Sequence, residues 1–97
     1  MANKSVSYAD YLKLDSLLTS QLPESVAAGR EAHDEMLFII VHQVYELWFK
    51  QVLVEIDRIE KIFGGDWVDD RDVASATNGL ARIVEVLKLA VRQIDLL

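Results

Sequence analysis

The sequence has no cysteine, a single proline, Pro23, and only four glycines. Without thiols there can be no disulfide, thiolate metal site or thiol nucleophile, which excludes a secreted disulfide scaffold. So few chain breakers leave long uninterrupted segments, and these read as helices. Basic residues are also scarce. Ten lysines and arginines face sixteen acidic residues, giving a formal charge of −6. Such a balance repels nucleic-acid phosphates and anionic lipid. The opening MANKSVSYAD lacks the apolar core of a signal peptide and the arginines of a transit peptide, so a cytoplasmic location is expected. There is no repeat of 20 to 50 residues and no low-complexity block.

Apolar residues, by contrast, are abundant. They make up 52% of 97 residues, more than a few helices of this size can hide from water. Some of that surface is therefore expected to lie against another chain or another segment. The most apolar run, Met36 to Val54, is interrupted by His42, Gln43, Glu46, Lys50 and Gln51. A membrane span wants about twenty predominantly apolar residues, so this run is read as a buried helix.

The expected fold is all-α: a short N-terminal helix and loop over residues 1–32, then a long antiparallel αα-hairpin over 33–97. The first helix runs from Ser7 to about Ser20, opens on a Ser7-x-x-Asp10 capping box and has a break near Asp15. Residues Gln21 to Ala32 lack a period and read as a loop. The second helix starts near Asp34 and Glu35, which suit the positive end of its dipole, and stops at Gly64-Gly65. Its thirty or so residues would extend about 45 Å. Tyr45, Trp48, Phe49, Val52, Leu53, Ile56, Ile59 and Phe63 follow steps of three and four and are expected to pack. Met36 to Val41 is apolar all round and is expected to be enclosed. The third helix follows Asp69-Asp70-Arg71-Asp72 and carries the stripe Val73, Ala76, Leu80, Ile83, Leu87, Ala90, Ile94 and Leu97. That stripe reaches Leu97 with no closing signal, as expected of a chain cut within a longer helix. A short link over 64–68 favours an antiparallel pair.

His42 is the foremost candidate for chemistry. It falls in the stretch expected to be most buried, one turn after Phe38 and one before Glu46. A buried imbedded imidazole near neutrality can act as a base or hydrogen-bond a substrate N–H; it can equally satisfy a hydrogen bond inside a helical core. His42 and Glu46 stand four apart, but no second histidine completes an H-E-x-x-H zinc motif. His33 reads as a solvated residue at the helix start. Asp66, Asp69, Asp70 and Asp72 lack the twelve-residue loop and closing glutamate of a calcium site and read as helix-capping charge. Tyr8, Tyr11 and Leu12 share a face of the first helix, where packing is the default.

The run His33-Asp34-Glu35-Met36-Leu37-Phe38-Ile39-Ile40-Val41-His42-Gln43, continuing Val44-Tyr45-Glu46-Leu47-Trp48-Phe49-Lys50-Gln51, closely resembles the signature of tryptophan 2,3-dioxygenases. Upstream, Tyr8-Ala9-Asp10-Tyr11-Leu12-Lys13-Leu14-Asp15 is similar to the family's N-terminal motif, as are Leu87-Lys88-Leu89 and Gln93 downstream. The resemblance covers nearly all of the chain.

It implies that these residues are part of a larger helical haem-dioxygenase fold, homotetrameric in the family, with haem b as cofactor. The implied reaction joins O2 to L-tryptophan across the indole C2–C3 bond and yields N-formyl-L-kynurenine, the opening of tryptophan catabolism by the kynurenine route. His42 would be the distal-pocket histidine that hydrogen-bonds the indole N–H, and Phe38 would line the indole pocket. Tyr8, Tyr11 and Leu12 would reach the neighbouring subunit's pocket. The family's proximal haem ligand matches no residue here and lies beyond residue 97, as do its carboxylate-binding tyrosine and arginine. The 97-residue chain alone is therefore expected to be inactive and to hold haem weakly if at all. Two other readings stay open: a non-catalytic helical oligomerisation module, and a related haem protein with a different aromatic substrate.

Overall fold

In the computed structural model the chain is all-α, and the described residues are 5–30 and 32–97. The expectation about the extreme N-terminus falls in part on residues 1–4, outside them. The chain divides into two compact units, residues 1–40 and 41–97.

In the first unit, the single helix expected over Ser7–Ser20 is two: α1, Tyr8–Tyr11, and α2, Leu14–Leu18. The break expected near Asp15 falls slightly earlier, at Lys13. Lys13 adopts a left-handed conformation with φ 55°, a conformation that interrupts a helix because it turns the backbone out of register. Ser7 caps α1, its hydroxyl accepting the Asp10 N–H at 3.1 Å. At the end of α2, the Ser20 hydroxyl and the Gln21 amide both donate to the Leu17 carbonyl, at 2.8 and 2.9 Å, and the Thr19 hydroxyl donates to the Asp15 carbonyl. The segment expected to be loop contains a one-turn helix, α3, Glu24–Ala27, started by Pro23, whose fixed φ suits a helix entry. None of α1, α2 or α3 buries a residue.

The long helix α4, Glu35–Phe63, begins in the first unit and continues through the second. It starts and stops close to the expected positions, with Gly64 following its last residue. Length and composition alone would let α4 cross a membrane. Its opening run is not enclosed as expected: Met36, Leu37, Phe38 and Ile40 are exposed, and Val41 is the first buried residue.

In the second unit, α4 pairs antiparallel with α5, Asp70–Gln93, which passes into a short 3-10 turn, α6, Ile94–Leu96. Asp69 caps α5 in a full capping box: its carboxylate accepts the Asp72 N–H at 2.9 Å, and the Asp72 carboxylate accepts the Asp69 N–H at 3.3 Å. The acidic cluster at 69–72 thus serves the helix start.

The pairing face departs in part from the stripes expected: Tyr45, Trp48, Val52 and Ile59 on α4 and Ala76, Ile83 and Ala90 on α5 pack as expected, and the other positions do not. On α4 in this unit the buried and half-buried positions are Val41, Gln43, Val44, Tyr45, Trp48, Gln51, Val52, Glu55, Ile59 and Ile62, while Phe49, Leu53, Ile56 and Phe63 are exposed. On α5 they are Asp72, Ser75, Ala76, Gly79, Ile83, Val86, Ala90 and Gln93, while Val73, Leu80 and Leu87, and Ile94 and Leu97 beyond its end, are exposed. The reason is the size of the residues. Helices approach most closely where side chains are small, so Ala76, Gly79 and Ala90 form the seam and the larger leucines flank it.

A buried carboxylate lies in that seam. Glu55 is 4% exposed, and its Oε1 accepts from Arg82 Nη1 at 3.0 Å and Gln51 Nε2 at 3.1 Å. Its Oε2 is buried with no partner. One turn along, Arg58 Nη2 donates to the Ser75 hydroxyl at 2.6 Å, so two arginine contacts fix the register of the hairpin.

Candidate functional site

The second unit has an open groove of about 590 Å³ where the start of its α4 segment faces the end of α5. His42, Tyr45, Glu46 and Phe49 form one wall; Leu87, Ala90, Val91, Ile94 and Leu97 form the other. Antiparallel pairing creates this arrangement, because it sets the earliest turns of α4 in this unit opposite the last turns of α5. The lining is apolar except for an imidazole, a carboxylate and a phenol.

The aromatic side chains follow each other along α4. The His42 ring meets Tyr45 edge-on, with centroids 6.0 Å apart and planes at 76°. Tyr45 in turn lies nearly parallel to Phe49, with centroids 6.1 Å apart and planes at 14°. Spacings of three and four residues place all three rings on one flank of the helix. The Tyr45 hydroxyl is buried without a hydrogen-bond partner. His42 itself is exposed, which corrects the expectation that it sits in the most buried part of the helix. The apolar run before it does not wrap round it, and its ring stands at the groove.

Phe38 lies four residues before His42 on α4, in the first unit, and is 56% exposed. Tyr8, Tyr11 and Leu12 stand together on and just after α1 and are all exposed, the two tyrosines at 76% and 75%. Packing was the default for these three, and the structure does not pack them. His33 precedes α4 and is exposed.

The groove wall on α5 went unremarked in the sequence. Leu87, Ala90, Ile94 and Leu97 were assigned to the packing stripe, and Val91 to no site. The signal that separates them is the recurrence of small residues at 76, 79 and 90, which marks the true seam and leaves the leucines beside it.

A haem pocket needs an axial ligand and walls that exclude water. The residues here provide a single imidazole and two largely apolar walls of a groove that is open to solvent, and no second histidine belongs to this unit. They do not amount to a haem site by themselves.

Fold and groove define a class: an all-helical chain that presents one histidine on an aromatic-edged, apolar groove. A family model described as tryptophan 2,3-dioxygenase matches residues 1–97, and the chain belongs to that family. Among curated relatives named tryptophan 2,3-dioxygenase, that of Dictyostelium discoideum is 52% identical over 96 residues, 99% of this chain and 24% of its own length. That of Bdellovibrio bacteriovorus is 50% identical over 92 residues, covering 95% of this chain and 26% of the relative. That of Alteromonas mediterranea is 47% identical over 90 residues, covering 93% and 25%. The chain thus spans about a quarter of the length of the relatives it matches.

Proposed function

We propose that these residues form the substrate-side wall of a tryptophan 2,3-dioxygenase, in which both atoms of O2 are inserted across the indole C2–C3 bond of L-tryptophan to give N-formyl-L-kynurenine. The observation that carries this reading is His42, held at an apolar groove beside stacked aromatic rings. Haem b, bound by protein beyond these 97 residues, supplies the oxygen activation.

The part played by this chain is orientation. A ring nitrogen of His42 that carries no proton accepts a hydrogen bond from the indole N–H, which fixes the edge of the ring presented to oxygen. The apolar walls of the groove reduce competition from water, and Phe38 is assigned to the indole by its match to the family's motif alone. Tyr8, Tyr11 and Leu12, exposed on an arm with no core of its own, complete the pocket of a neighbouring subunit in a homotetramer. α4 is an interior helix of that assembly and not a membrane span, since Glu46 and Lys50 interrupt its apolar run and Glu55 is buried against α5. On this reading the protein is cytoplasmic and binds neither nucleic acid nor membrane.

The test is the complete, haem-loaded protein. Addition of L-tryptophan should shift its Soret band and yield N-formyl-L-kynurenine, and His42→Ala should lower turnover about tenfold or more, the value of one well-placed hydrogen bond. A wild-type protein that binds haem yet ignores tryptophan would overturn the reading.

One observation favours a second reading, a helical interaction module without catalysis. Leu53, Leu80 and Val91 are 65%, 54% and 66% exposed, and such flanks suit association with other helices. The two readings part on ligand: only the first expects an indole-dependent response that disappears with His42→Ala or Phe38→Ala.

A further inference from the structure

Ser25 and Glu35, ten residues apart, are joined by two hydrogen bonds. Glu35 Oε1 accepts the Ser25 N–H at 3.0 Å and the Ser25 hydroxyl at 2.6 Å. The Ser25 Oγ also accepts the Ala32 N–H at 3.0 Å, and the Ser25 carbonyl accepts the Arg30 N–H at 2.8 Å. Every polar atom of Ser25 is therefore used. The Glu35 N–H donates to the Ala32 carbonyl at 3.1 Å, which closes the loop from its other end. Gly29, at φ +75° with nothing near its missing Cβ, allows the chain to reverse there.

A carboxylate in the first turn of α4 would favour the helix dipole without any partner. Here one oxygen is committed to a residue on the far side of a loop. The need for that link follows from what precedes it. Helices α1, α2 and α3 are four or five residues long and bury nothing, and helices this short do not persist unaided. Among the described residues, polar joints help give this segment a direction: the Ser7 cap, the hydroxyl and amide caps on α2, and lastly Ser25 on Glu35.

We propose that the Ser25–Glu35 clasp is a positioning device that fixes the direction in which the arm of residues 5–24, with Tyr8, Tyr11 and Leu12, leaves the start of α4. This rests on the reading of the arm as a contributor to a neighbouring pocket. Glu35 and Ser25 touch no substrate; they act through the arm.

Two spin labels are placed in the complete protein at Ser16→Cys and Asp34→Cys; these 97 residues contain no cysteine, and any cysteine elsewhere in the complete protein is first replaced by serine. The distance distribution between them should be narrow with the clasp intact and broaden with Glu35→Ala or Ser25→Ala, while Glu35→Gln, which keeps an acceptor oxygen, stays narrow. Amide exchange at Ser25 and Ala32 should speed up in the same two alanine variants. An unchanged distribution overturns the proposal whether or not the protein oxidises tryptophan.

In the haem-loaded enzyme the alanine variants should raise the KM for L-tryptophan about tenfold with little change in kcat. Mixed oligomers of Glu35→Ala and His42→Ala subunits should regain the wild-type KM, since an intact arm then reaches a pocket with an intact histidine. A KM that stays raised in the mixture places the effect within one subunit and overturns the arm mechanism. Absence of any tryptophan turnover in wild-type protein rejects the dioxygenase reading and leaves the clasp to be decided by the distance measurement.

Discussion

Glu55 on α4 and Gly79 on α5 are in such close approach that a Cβ on Gly79 would lie 3.2 Å from Glu55 Oε2, and 3.3 Å from Ile59 Cδ1. That oxygen is the unpartnered one, so the carboxylate is held on one side by Arg82 and Gln51 and meets a bare helix backbone on the other.

Enlarging Gly79 should force the seam apart. Gly79→Leu is expected to cost about 1–3 kcal/mol through overpacking. Gly79→Ala should cost less, because alanine returns roughly 1 kcal/mol of helix propensity against the tight contact. Urea denaturation of the three proteins checks the order; Gly79→Leu as stable as wild type would show that the seam is looser than this.

Removing the half-exposed arginine that partners the buried Glu55 carboxylate should be worse than replacing both residues. Arg82→Ala leaves the Glu55 carboxylate with Gln51 alone and is expected to destabilise by about 1–3 kcal/mol, the cost of an under-satisfied buried polar group. The double change Glu55→Met with Arg82→Leu should recover most of that loss. The exposed Lys61–Asp57 pair, 2.9 Å apart on one face of α4, is the control, since Asp57→Ala should alter stability by less than about 1 kcal/mol.

The clasp should be sensitive to acid. The hydrogen bonds from the Ser25 hydroxyl and amide hold the Glu35 carboxyl below its ordinary value. A depressed folded-state pKa means that the contribution is present above the unfolded value, roughly 4.3, and is lost as pH falls through the lowered folded one. Titrating the Glu35 carboxyl by NMR while following exchange of the Ser25 amide should show the two changing together at the acid end. A protonated carboxyl keeps one acceptor oxygen, as Glu35→Gln does, so the joint should weaken at the acid end without opening; a Glu35 carboxyl that titrates at its ordinary value would remove the Ser25 hydrogen bonds from the account.

Loss of the α5 cap should be felt locally. Asp69→Ala removes the acceptor for the Asp72 N–H and is expected to cost about 1 kcal/mol, with amide exchange faster in the first turn of α5 and unchanged near Ala90.

As an isolated polypeptide, these 97 residues are expected to show no dioxygenase turnover and no haem spectrum of the histidine-ligated type. The only histidine at the groove is His42, and the proposed reaction commits it to the indole N–H. Titration with haemin, read at the Soret band, tests this directly; stoichiometric, histidine-ligated haem would refute it.

Much of the secondary structure was legible in the residues themselves. The limits of α4 follow from Glu35 at one end and Gly64-Gly65 at the other, and the start of α5 from Asp69 and Asp72, because caps and dipoles act within a turn. The break in the first helix was placed near Asp15 when it falls at Lys13, since a lysine in a left-handed conformation carries no compositional mark. α3 was missed for a related reason: a single turn after Pro23 is too short to show a period. His42 was picked out by its neighbours along the chain, but its exposure was misjudged, because burial is a property of what faces a residue and not of what precedes it.

Composition and local pattern therefore determined an all-helical chain, its two long helices and the histidine-bearing run that belongs to the tryptophan 2,3-dioxygenase family. Tertiary structure decided which faces of those helices meet. Period alone cannot choose between neighbouring apolar stripes on the same helix, and the choice fell to Ala76, Gly79 and Ala90, whose small size lets the backbones close. Once they form the seam, Glu55 is buried against Arg82, and His42, Leu87 and Ile94 are left around an open groove. Ser25 and Glu35 were brought together in the same way, by a loop closure between residues too distant in sequence for any local rule to pair.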